Sequence, residues 1–180
     1  MKSVLISIQP KWCELIASGK KTVEVRKTKP KLPTPFKCYI YESSGNHRVG
    51  NENFNVYLKG KGRNKVIVEF VCNEIECFTT DYRADKEQTD RISVQSCLTW
   101  GDLMEYEVNS PCLYAWHISD LVIYDKPKEL SGFQKYGALN YDDWLYGMYN
   151  GSSESSYEKY LIPFKMSRPP QSWCYVEVLK

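Results

Sequence analysis

Short runs of apolar residues, separated by polar turns, dominate the hydropathy pattern of this chain. Val4-Leu5-Ile6-Ser7-Ile8 opens it and is long enough for one strand. Pro10 follows, where the first turn of a helix tolerates proline because no helical N–H is lost. Trp12, Leu15 and Ile16 recur at helical spacing and make one apolar face; Gly19 stands just past them, the usual place for a helix to stop. From Lys20 to Arg26 the period drops to that of a strand. Val23 and Val25 point to one side, and Thr22, Glu24 and Arg26 must share the other. Strand, helix, glycine and a strand carrying Glu and Arg make a compact frame for a polar site.

Further along, Phe36 to Glu42 reads as a strand from its aromatic and β-branched content, with Tyr39 and Tyr41 on one face. Ser43 to Lys65 is polar. Its Lys59, Lys61, Arg63 and Lys65 alternate with Gly60 and Gly62, which suits a solubilising loop or a hairpin arm with one basic side. Lys65 to Cys72 is the strongest strand pattern, and Asn73 to Phe78 continues or bends it. Thr79 to Val94 predicts an irregular segment or a short helix, and Thr99 caps a second short helix that runs to Tyr106. Cys112 to Ile118 and Leu121 to Tyr124 predict two more strands, with His117 on the face opposite Trp116. Between Glu129 and Tyr149 the spacing of Leu130, Phe133 and Tyr136, then Tyr141, Trp144 and Leu145, predicts short helices; Gly151 to Ser156 reads as a loop. Arg168-Pro169-Pro170 is rigid and leads into a closing strand from Gln171 to Leu179.

Length and composition add bounds. A chain of 180 residues predicts one domain spanning 1–180, and its 42% hydrophobic and 26% charged content is ordinary for a globular protein. The aromatic share of 14% is high, with 14 Tyr and 5 Trp; such rings stack on nucleobases or fill cores and strands. A net charge of +2 supplies no field over the whole protein, so any basic surface for an anionic partner must be local. The seven cysteines are odd in number, scattered and without a C-x-x-C pair, which predicts reduced thiols in a cytoplasmic protein. The two histidines, His47 and His117, are far apart, so no metal site is expected, and no cofactor is implied. No apolar run approaches the ~18–20 residues of a membrane span, and no targeting segment is evident.

Gly19-Lys20-Lys21-Thr22-Val23-Glu24-Val25-Arg26 resembles the G-x-K-T-x-E-x-R signature of the ASCH family. The likeness takes in the preceding strand and helix. Tyr114 to Leu121 and Arg168 to Glu177 are similar to segments of the longer ASCH proteins of bacteria and their phages, with weak points at about residues 46–64 and 133–162. The resemblance implies an α+β fold built on a PUA-like β-barrel with flanking helices, the Trp12 helix at one end, and an association with RNA. In a barrel the last strand pairs near the first, which would bring Arg168, Gln171 and Trp173 beside the signature.

The pocket so predicted holds Lys20, Lys21, Thr22, Glu24 and Arg26, with Trp12, Tyr39, Tyr41, His117, Arg168, Gln171 and Trp173 as neighbours. Opposite charges around a carboxylate favour its ionised form, which accepts hydrogen bonds from a base or positions a water. Arg and Lys hold phosphate, and Trp and Tyr faces stack on bases. Single-stranded RNA, a nucleotide or a nucleoside suits this set better than duplex DNA. A second reading is a hydrolase acting on RNA or a modified nucleoside, with Lys21 and Glu24 catalytic. Small ASCH proteins that deacetylate N4-acetylcytidine resemble this chain at the Lys-Thr motif but carry a threonine nucleophile where Glu24 stands; ribonuclease activity is another family possibility. A third is a non-catalytic domain with a protein partner. A groove lined by Lys21, Glu24 and Arg26 with exposed rings favours the first two readings, and a buried, fully paired Glu24–Arg26 favours the third.

Overall fold

The structure, a computed structural model, describes residues 2–44, 46–49, 56–59, 62–81, 84–138 and 161–179. In chain order the elements are β1 (Ser3–Ile8), α1 (Pro10–Ala17), β2 (Val23–Arg26), β3 (Phe36–Glu42), β4 (Asn46–Val49), β5 (Val56–Lys59), β6 (Lys65–Phe78), α2 (Lys86–Ser96), α3 (Trp100–Glu107), β7 (Leu113–Lys128), a 3-10 turn (Leu130–Gly132), β8 (Phe133–Ala138), β9 (Leu161–Lys165) and β10 (Trp173–Val178). Eight strands form one sheet in the order β2-β7-β6-β3-β1-β10-β8-β9, and β4 and β5 pair separately. The pair β1–β3 is parallel, and the other ladders are antiparallel.

The continuous apolar run of β1 is explained by burial on both faces, as a strand inside a covered sheet requires. Val4, Ile6 and Ile8 pack with Cys38, Ile40, Phe70 and Trp116 under Cys13 and Ile16 of α1. Leu5 turns the other way and meets Tyr39, Tyr41, Val66, Phe133 and Val176. A third cluster joins Val23 and Val25 of β2 to Ile92 of α2, Leu103 of α3 and Leu113 of β7. The helices therefore fasten β2 to the sheet from outside. The Thr99 cap expected for α3 is present as a full capping box, in which Thr99 Oγ1 accepts from the Asp102 amide and Asp102 accepts from the Thr99 amide.

An α+β architecture with β10 beside β1 is observed, but among the described residues the ladder does not close into a barrel: β2 and β9 are its two edges. Beside β2 lies α2, whose Gln95 carbonyl accepts the Thr22 amide where a further strand would otherwise pair. Two other expectations are corrected. The strands expected at 112–118 and 121–124 are one long strand, β7, which passes Asp120 in a left-handed conformation (φ 47°) and shifts register against β6. The helical spacing of Leu130, Phe133 and Tyr136 is met by a 3-10 turn followed by β8, because Phe133 has to reach the Tyr39 ring, 5.0 Å away. The helix expected around Tyr141, Trp144 and Leu145 and the loop at 151–156 lie outside the described residues. Among the described residues no helix is long and apolar enough to cross a membrane.

Candidate functional site

The site begins with the way α1 ends. Gly19 takes φ +72°, a conformation side chains resist, and the amides of Gly19, Lys20 and Lys21 turn back onto the carbonyls of Ile16 and Leu15. The chain leaves this turn along the C-terminal end of α2. There Lys21 Nζ donates to the Ser96 carbonyl at 2.8 Å, a favourable place for a cation because the last carbonyls of a helix lack partners within it. Lys21 also lies 3.2 Å from Glu24 Oε2.

Glu24 Oε1 is 2.9 Å from Arg26 Nη2, so each carboxylate oxygen faces one cation. Arg26 Nη2 donates to the Ser7 carbonyl at 2.9 Å, and Nη1 reaches Ser172 Oγ at 3.3 Å. The three residues are only 3%, 7% and 9% exposed for Lys21, Glu24 and Arg26. Charges taken out of water to this degree need both mutual attraction and neutral hydrogen-bond partners. The Ser96 and Ser7 carbonyls and the Ser172 hydroxyl supply them. One group stays unmatched: Arg26 Nε is buried with no hydrogen-bond partner among the described residues.

Lys21, Glu24 and Arg26 line one cavity of about 620 Å³, within the range of small-molecule sites. Ser7, Gln9 and Trp12 form the wall from the end of β1 and α1, and Leu98, Asp102 and Tyr106 form another from α3 and the residues leading into it. Pro169, Pro170 and Gln171 close it from the segment before β10. That segment is tied down because Ser7 Oγ donates to the Pro170 carbonyl at 2.6 Å and the Ser7 amide donates to the Ser172 carbonyl at 2.9 Å. Trp12 is half-buried, with Lys11 Nζ 4.6 Å and Lys21 Nζ 5.3 Å from its ring centroid. Lys27 Nζ stands 5.2 Å from the Tyr106 centroid and donates to the Val108 carbonyl. The Thr99 hydroxyl and amide hold the Asp102 carboxyl below its usual range.

Of the residues singled out in the sequence, Trp12, Lys21, Glu24, Arg26 and Gln171 meet at this cavity. Lys20 and Thr22 are exposed, and their backbone groups bond to Cys97 Sγ and to Gln95 and Ile118. Tyr39 and Tyr41 are buried in the core around Leu5 and Phe133. Trp173 packs edge-on against Trp116 and Tyr175 and donates from Nε1 to Thr28 Oγ1 at 3.0 Å, while Arg168 is exposed. His117 faces a separate cluster, with Nε2 2.6 Å from Glu76 Oε1. Arg91 holds both oxygens of Glu76 at 2.9 and 2.6 Å, and Gln88 donates a further bond. These bonds, Arg91 first, take the Glu76 carboxyl down to about 2 against the opposing effect of burial.

Asp102, Tyr106 and Leu98 were not legible as site residues. The capped helix could be read from Thr99, but its position over Trp12 depends on how α3 docks on the sheet. All seven cysteines are free thiols, and burial raises the Cys72 thiol to about 12, which makes it a poor nucleophile. Among the described residues no group of three or more His, Cys, Asp or Glu side chains could hold a metal ion.

Similar architecture recurs in solved structures. The crystal structure of ASCH from Zymomonas mobilis superposes with a TM-score of 0.54 at 17% identity, covering 97% of this chain and 87% of that one. Two mutant forms of that protein, one Tyr-to-Phe and one Ser-to-Ala, each give 0.53 at 18% identity, covering 98% and 97% of this chain and 91% and 88% of theirs. At that identity the likeness concerns the fold. No curated protein matches the chain. The family model described as "ASCH domain" matches residues 6–166, which takes in the signature, α1 and the sheet from the second half of β1 to β9. The chain belongs to the ASCH domain family, a PUA-like family associated in general with RNA.

Proposed function

We propose that this protein binds single-stranded RNA or a nucleotide by taking one nucleobase into the cavity lined by Lys21, Glu24 and Arg26. The observation that carries this reading is a charged triad at most 9% exposed that still lines a cavity beside the half-buried ring of Trp12. Glu24 and Arg26 are buried and paired, which taken alone favours a structural ion pair; the cavity beside them, with aromatic and amide side chains on its wall, favours a ligand. Trp12 offers a half-buried ring to stack on that base, and Gln9 and Gln171 offer amide donors and acceptors.

A hydrolytic role for Glu24 has less support. Each of its oxygens faces a cation, Oε2 towards Lys21 and Oε1 towards Arg26, so the carboxylate is better placed as a fixed acceptor than as a base acting on water. Titration of short fluorescent RNAs at low salt tests the proposal. Trp12→Ala should weaken binding roughly 5- to 100-fold, as loss of one stacked base does, with its thermal melt showing that the variant folds. Absence of binding by any RNA or nucleotide to the wild type sinks the proposal.

A further inference from the structure

The charges on the cavity wall point to the direction in which a ligand enters. Lys21 and Arg26 bring two positive charges, and Glu24 and Asp102 bring two negative ones. At the floor both cations are already turned to Glu24, and Lys21 and Arg26 also give hydrogen bonds to the Ser96 and Ser7 carbonyls. A phosphate placed there would lie against the Glu24 carboxylate and replace hydration with few free donors, an arrangement that low dielectric penalises. A neutral base edge meets no such repulsion, and the amides of Gln9 and Gln171 on the wall can bond to it.

Further positive charge lies outside the lining. Each ring that lines the cavity has a lysine set against it. Lys11 is exposed, 4.6 Å from the Trp12 centroid, and Lys27 is 5.2 Å from the Tyr106 centroid. Lys27 gives one bond to the Val108 carbonyl and has further ammonium donors to offer. Lys11 also senses the Asp102 carboxylate, which is engaged by the Thr99 cap.

Resting on the nucleobase reading above, we infer that the ligand enters base first, between Trp12 and Tyr106, and leaves its phosphate at the mouth on Lys11 and Lys27. Lys11 and Lys27 are then the residues that distinguish a nucleotide from a nucleoside, while the triad deals with the base.

Calorimetric titration of the full chain with the four common ribonucleosides and their 5′- and 3′-monophosphates, at low and moderate salt, tests this. A monophosphate should bind roughly tenfold or more tightly than its nucleoside, as a charge-assisted phosphate contact provides, and salt should erode that advantage. In the doubly substituted Lys11→Ala/Lys27→Ala protein, the ratio of monophosphate to nucleoside affinity should fall close to one. A ratio near one in the wild type, or a high ratio that survives the double substitution, overturns the orientation and leaves base binding in place. Failure of all nucleosides and monophosphates to bind overturns both. A lysine pair that merely holds α1 and α3 in place would shift the melting temperature without changing the ratio.

Discussion

At the scale of the residue, the telling feature is how differently two carboxylates, one buried and one half-buried, are supported. Glu24 stands between Lys21 and Arg26, with side chains 2%, 10% and 11% exposed for Lys21, Glu24 and Arg26. Replacing it with glutamine leaves two buried cations without their anion, which typically costs about 3–5 kcal/mol. Glu24→Gln should therefore lower the urea midpoint markedly, whereas Glu24→Gln combined with Lys21→Met should recover part of the loss. Glu76 is held by Arg91, Gln88 and His117, and its carboxyl is brought to about 2 from an ordinary 4.5. A depressed folded value means that its stabilisation is complete above about 4.5 and fades as the pH falls towards 2. With Arg91 43% exposed, solvent screening limits the contribution to about 2 kcal/mol. Denaturation curves between pH 7 and pH 2 should show the wild type losing that much in the window, and Glu76→Gln losing it at neutral pH already.

Elements explain why part of the molecule could be read from its sequence and part could not. The strand–helix–glycine–strand opening was legible because each piece has a local cause: Pro10 starts α1, Gly19 ends it and β2 alternates. A β-carbon at position 19 meets nothing within 4 Å, so Gly19→Ala has only backbone strain to bear at φ +72°. It should destabilise the protein by about 1–2 kcal/mol, measured by chemical denaturation. What alternation cannot tell is whether the second face of a strand is also covered. Tyr39 and Tyr41 share a face as read, but that face packs on Phe133 and Val176. Glu24 and Arg26 share a face too, and it looks into a cavity that exists only because α3 and the Pro169–Gln171 segment come over it. Asp102 and Tyr106 escaped for the same reason. The single strand β7 was read as two because its left-handed Asp120 interrupts the pattern while the ladder with β6 carries on.

On the scale of the whole molecule, the first and last described strands lie side by side inside the sheet. β1 lies between β3 and β10, and Val176 of β10 is 1% exposed in the core. The family match ends at residue 166, before β10 begins. A chain ending at Met166 should accordingly fail to unfold cooperatively and should bind a hydrophobic dye, because β1 then presents an uncovered edge inside the sheet. The bond between Ser7 and Pro170 joins positions 163 residues apart. The Gly19–Arg26 stretch owes part of its surroundings to that distant segment, because Ser172 Oγ meets Arg26 and Pro169 to Gln171 wall the cavity. Without that segment Arg26 lacks Ser172 and the cavity lacks a wall. The Gly19–Arg26 stretch is therefore completed by a segment distant along the chain rather than by its own neighbours in sequence.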